Sequence, residues 1–165
     1  MALIGCTPAL NWRHVNVSSA RVTVMMPCKP DQATRAMTLR VAEKSETTHL
    51  QLQGCEAADM QFTFGVMAVP PGLPAEEAIQ AWRLASLASL NADASATVPL
   101  PWEIQGSLKA QTLATRVRLM TPVHQVQWVW FADGNTIYQA AVYGKAKDKE
   151  LPEAAETYFS GIKLP

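Results

Sequence analysis

An excess of charge of either sign is missing from this chain. Lys and Arg number 14, and so do Asp and Glu. Nucleic-acid binders carry a basic face or run. The densest basic stretch here is Lys145, Lys147 and Lys149, broken by Ala146 and Asp148, which reads as a solvated loop. Long apolar runs are missing too. None approaches the ~20 residues a spanning helix needs. No internal repeat or low-complexity tract occurs, so repeat architectures are excluded. Charged residues make up only 17% of the chain, but 48% is hydrophobic, which excludes a disordered polymer. With 165 residues the chain can bury one real core.

Motifs that announce chemistry are absent as well. There is no phosphate-cradling Gly-rich loop, no zinc-protease helix motif, no nucleophile elbow and no EF-hand loop. The histidines His14, His49 and His124 fall on separate segments and lack metal-ligand spacing. Asp133 precedes Gly134 as a turn former. The sequence therefore predicts no enzyme activity, no cofactor, no metal and no nucleic-acid partner.

Cysteine is scarce, and its three positions carry the most information. Cys28 follows the β-prone run Val22–Met26 and Pro27; Cys55 follows an alternating run and Gly54. Both sit where a strand meets a turn former, a context that can bring Cα atoms within disulfide reach. The bridge would close a loop of about 28 residues, worth roughly 3.5 kcal/mol on the chain-entropy account. Two buried free thiols packing as small hydrophobes are the alternative. Cys6 is left over. Leu3-Ile4-Gly5-Cys6 matches the bacterial lipobox, with an aliphatic residue three before the Cys and a small one directly before it. It resembles the processing site of bacterial lipoproteins, which implies Cys6 as the lipid-attachment residue. Only five residues precede it, too few for the positive and apolar regions of an export signal, so either the sequence is trimmed close to the mature start or the native start lies upstream. A chance match on an N-terminal tail is the alternative. Residues 1–10 are expected to be lipobox remnant and tether, and 11–165 a single domain.

Strand patterns alternate over 12–17, 20–26, 37–41, 47–53 and 60–69. Ser18-Ser19 reads as a turn, and 29–36 and 97–101 as loops. The period then changes. Residues 74–91 predict a helix, with Pro74, Glu76 and Glu77 at its start, Ala78, Trp82, Ala85 and Ser89 as its stripe, and Asn91 as its stop. Strands return over 113–120, 123–131 and 137–143, the last two joined at Asp133-Gly134. A final helix opens at Leu151-Pro152, with Ala155, Tyr158, Phe159 and Ile162 buried. This is an α+β fold, an antiparallel sheet flanked by helices. Five Trp are many for this length. Trp82, Trp128 and Trp130 read as core between sheet and helix. Trp12 and Trp102 are the residues left for a partner surface or pocket.

The stretches VTVMMPCKP, WFADGNTIYQAAVYG and TYFSGIKL, in this order, resemble the PsbP-like and Mog-like superfamily. The resemblance implies an α-β-α sandwich and docking or assembly rather than catalysis. No motif for calcium, manganese or Ran binding is found to carry over. PCKPD together with GCEA resembles small lipoproteins of β-proteobacteria. The function expected is a non-enzymatic, lipid-anchored domain on the periplasmic side of the envelope, docking an envelope protein. Thr7 rather than Asp after Cys6 favours the outer membrane by resemblance to enteric sorting rules. A small-molecule module, with an apolar pocket between the sheet and the 74–91 helix, is the alternative. Oligomeric state is not legible.

Overall fold

The structure, a computed structural model, describes residues 9–17 and 19–165. Cys6, the lipobox-like segment and Ser18 lie outside the described residues. Chain order is β1 (Arg13–Asn16), β2 (Thr23–Met26), β3 (Asp31–Val41), β4 (Lys44–Ala57), β5 (Met60–Ala68), α1 (Ala75–Ala88), β6 (Thr97–Leu100), α2 (Leu108–Gln111), β7 (Thr115–Met120), β8 (His124–Asp133), β9 (Thr136–Lys145) and α3 (Leu151–Ser160). Seven strands form one antiparallel sheet in the order β3-β4-β5-β9-β8-β7-β6. Strands β1 and β2 form a separate two-stranded ribbon.

The centre of the sheet explains its sequence. Along β8, Val126, Trp128, Trp130 and Ala132 enter one hydrophobic cluster, while Val129 and Phe131 enter another. Both sets are buried, so β8 reads as a nearly continuous apolar run. The first cluster contains Leu39, Leu50, Met67 and the α1 residues Ala78, Ile79, Ala81, Trp82 and Leu87. The second contains Phe62, Phe64, Val66, the β1–β2 ribbon and the α3 residues Ala154, Ala155, Tyr158 and Phe159. The Tyr158 hydroxyl donates to the Thr63 carbonyl at 2.8 Å, which satisfies a fully buried phenol.

Helix α1 comes within a turn of its expected span, but its stripe is rotated. Ala85 and Ser89 are exposed, and Leu87 is buried in their place. Trp82 stays in the stripe, and its indole lies close against Gly65. A Cβ built on Gly65 would stand 3.0 Å from Trp82 Cζ2 and 3.1 Å from Leu50 Cδ1. Asn91 takes a left-handed conformation (φ 52°) and the Ala92 N–H bonds the Leu87 carbonyl, so the expected stop is where the helix ends. Strands β8 and β9 meet at Gly134-Asn135, with Asp133 opposite Thr136, as the Asp-Gly signal predicts.

Two expected loops are strands. Residues 31–36 belong to β3, and 97–100 form the short edge strand β6. Residues 31–36 are exposed throughout, because here the β3–β4 half of the sheet extends beyond the helices. With no buried face, no apolar alternation is needed, and the strand signal is lost. Leu10 packs on the second cluster, and the Asn11 N–H bonds the Pro27 carbonyl at 2.8 Å.

Candidate functional site

The site is built where β2 turns into β3. Pro27 ends β2, and the chain bends through Cys28 into the edge strand. Cys28 is bonded to Cys55 of β4, with Cα atoms 6.0 Å apart. The bridge ties the separate β1–β2 ribbon to the main sheet, which turns two free thiols into one structural joint. The thiol alternative is thereby set aside.

Beside this joint the sheet is open on both faces. On the face that carries Leu39 and Leu50, a cleft of about 590 Å³ is lined by Asp31, Ala33, Arg35, Leu52, Gly54, Gln61 and Thr63, and it reaches Cys28 and Cys55. On the other face, Gln32, Thr34, Gln51, Gln53, Phe64 and Val66 line a cleft of about 320 Å³. Gln53 is only 7% exposed, and its Oε1 has no hydrogen-bond partner among the described residues. An unmet buried acceptor is costly until a donor reaches it. Beyond these clefts runs the outer edge of β3, which among the described residues pairs with β4 alone. Its outward N–H and C=O groups have no strand partner among the described residues and could bond an added strand.

The region under α1 is different. Trp128 and Trp130 stack at 5.7 Å, and Trp82 fills the space between helix and sheet. The apolar pocket expected there is occupied by these side chains. What opens at its margin is a mixed-polarity cleft of about 520 Å³, lined by Glu76, Glu77, Ile79, Gln80, Arg83, Thr112, Leu113 and Thr115. The Arg83 guanidinium stands 5.4 Å from the Trp130 ring centroid, a cation–π contact. Burial lowers its pKa from the ordinary arginine value, and no carboxylate pairs with it among the described residues.

The two remaining Trp are less available than their sequence contexts suggest. Trp12 is half-buried, edge-on to Phe62 at 5.8 Å and 6.4 Å from Tyr158. Trp102 is half-buried, 5.8 Å from Phe131, and donates from Nε1 to the Phe159 carbonyl at 3.3 Å. Both serve as margins of the α3 cluster and expose only part of their rings. His14, His49 and His124 are exposed, on β1, β4 and β8. Cys6 lies outside the described residues. Sequence reasoning missed Asp31 to Ala36 as a site and also the Arg116–Glu156 pair, 2.7 Å apart, which is braced by Gln127 on β8.

No family model matches the chain, and no curated protein sequence does. A solved structure does: the cyanobacterial PsbP (CyanoP) from Synechocystis sp. PCC 6803, determined in solution. The TM-score is 0.51 over 100% of this chain and 98% of that one, at 10% identity. The fold is PsbP-like. At that identity the likeness speaks for architecture alone, and the open β3–β4 half of this PsbP-like fold has to be read from its own residues.

Proposed function

We propose that the chain is a non-enzymatic docking domain on the periplasmic side of a bacterial envelope, held there by lipid on Cys6. It engages an envelope protein through the open β3–β4 half of the sheet. The α-β-α sandwich arrangement and the kinship with β-proteobacterial lipoproteins belong to the same proposal. The observation that carries the docking role is the run of six exposed residues, Asp31–Ala36, on an edge strand with a cleft on each face. The Cys28–Cys55 bridge fits an oxidising compartment, and Leu3-Ile4-Gly5-Cys6 fits lipid attachment. Two or more acyl chains on one residue hold a domain at a membrane without any spanning helix.

The anchor half of the proposal is tested in the full-length precursor. Cys6→Ser should move the protein from membranes to the soluble periplasmic fraction and leave its melting temperature unchanged. Wild-type protein that incorporates no labelled palmitate, or a Cys6→Ser protein that unfolds, contradicts the anchor.

A small-molecule module is the second reading, and half-buried Arg83 beside its cleft is the observation in its favour. A guanidinium with no carboxylate partner suits a small anion. Stabilisation by such anions, lost in Arg83→Met, would favour that reading over docking.

A further inference from the structure

We infer that β3 is also a self-association edge, at which two copies of the chain join antiparallel about Ala33. The inference does not depend on the docking role. Strand β3 lies at the end of the sheet, with one flank bonded to β4 and the other unpaired among the described residues. Natural edges are blunted by bulges, Pro or charged side chains, Lys above all, and the charges of β3 (Asp31, Arg35 and Arg40) repel a copy only in the wrong register. From Asp31 to Val41 there is no Pro and no Lys, and the register with β4 runs unbroken from Asp31↔Gly54 to Val41↔Lys44.

Symmetry restricts how such an edge can meet its copy. Directly opposed residues of an antiparallel pair must point to the same face of the sheet. The two-fold axis therefore passes midway between a residue and its own copy, and that residue is the centre of the register. Charge then selects which one. The charged residues of β3 are Asp31, Arg35 and Arg40. Asp31 and Arg40 differ by an odd number of positions and point to opposite faces, so they cannot oppose each other. Asp31 and Arg35 can, and only with Ala33 at the centre. That register sets Asp31 of each copy opposite Arg35 of the other, twice, and Gln32 opposite Thr34. Cross-strand pairs of unlike charge are stabilising, and like charges directly opposed are not. Centring on Arg35 would oppose two guanidinium groups. Centring on Ala36 would overlap the whole strand but leave every charge unmatched.

The local structure suits the Ala33 register. Asp31 and Arg35 are exposed, and neither forms an ion pair among the described residues. Their neighbours on β4, Gly54 and Leu50, carry no charge to compete. Ala33 is small enough to sit against its own copy. Pro30, which has no N–H, ends the ladder one residue before Asp31. Asp31, Ala33 and Arg35 all line the larger cleft, so pairing would bring the clefts of the two copies together across the axis.

Sedimentation velocity on the purified domain with Cys6→Ser, from about 10 µM to about 1 mM, tests this. The contact is small, so a dissociation constant on the order of 10–100 µM is expected. Asp31→Arg alone and Arg35→Asp alone should each weaken the dimer at least about tenfold, since each creates two like-charge contacts. The double exchange Asp31→Arg/Arg35→Asp should bring the dimer back to within about threefold of the parent. Under oxidation, Ala33→Cys should yield a disulfide-linked dimer and Ala36→Cys should not. A parent protein that stays monomeric at about 1 mM overturns the inference. So does a dimer indifferent to the single charge reversals, or one trapped by Ala36→Cys and not by Ala33→Cys.

Discussion

Removing the Cys28–Cys55 bridge will lower the melting temperature by roughly 10 °C. The bond spans 27 positions, and closing a loop of that size in the unfolded chain is worth about 3.5 kcal/mol. For a domain of 150–250 residues, each kcal/mol moves the midpoint by about 2–4 °C. The loss has a structural locus. The β1–β2 ribbon is a separate sheet, and besides the bridge it is held by packing on α3 and by paired hydrogen bonds between Thr23 and Lys163. The Cys28→Ser/Cys55→Ser protein should therefore loosen first at the ribbon, and protease should cut within 9–30 before the sheet unfolds. Calorimetry of the double variant, alone and against the parent with reductant, measures the effect. A midpoint shift below about 3 °C would mean that packing alone fixes the ribbon.

Trp82→Ala is expected to cost about 3–5 kcal/mol, the range for truncating a buried Trp. Trp82 is 2% exposed and joins α1 to the sheet through Gly65, Leu50 and the stacked Trp128 and Trp130. The contact with Gly65 gives a sharper test than the single loss. In the parent, Gly65→Ala drives a methyl against Cζ2 of the indole and should destabilise by about 1–3 kcal/mol, as overpacking does. In the Trp82→Ala background that clash is gone, and the same change should cost less than half as much. Denaturant unfolding of the four proteins gives the coupling. Additive costs would place Trp82 away from Gly65 and contradict the rotated stripe of α1.

The parts of the fold legible in the sequence were those with a buried face. Strand β9 and helix α3 show their periods because Ile137, Tyr138, Tyr158 and Phe159 have a core to meet. The Cys pair was legible in part: Pro27 does end β2 just before Cys28, but Gly54 and Cys55 lie inside β4, which stays paired with β5 as far as Ala57, so the strand end expected at Cys55 is not there. The turns Ala42-Glu43 and Ala58-Asp59 were not. They place Ala42, Ala58 and Asp59 at positive φ with no Gly or Asn to signal it. The open site was the least legible. Asp31-Gln32-Ala33-Thr34-Arg35-Ala36 carries no hydrophobic pattern, and only pairing with β4 shows it to be a strand. A strand segment exposed on both faces lacks the core-facing pattern that marks a strand in isolation. Conversely, the aromatic content of Trp12 and Trp102 suggested a surface, while both are half-buried and pack on Phe62 and Phe131.

Site-specific photo-crosslinking in the native envelope is the most direct test of the docking role. A photoreactive residue is placed singly at Gln61 in the larger cleft, at Gln51 in the smaller one, and at exposed Leu84 on α1. All three positions are solvent-facing, so the parent fold should be kept. A docking β3–β4 half predicts one discrete adduct with a different protein from Gln61, from Gln51 or from both, and none from Leu84. Adducts with a second copy alone would support pairing of β3 and contradict docking. Silence at Gln51 and Gln61, or the same adduct at Leu84, would contradict the assignment of the β3–β4 half as the docking surface.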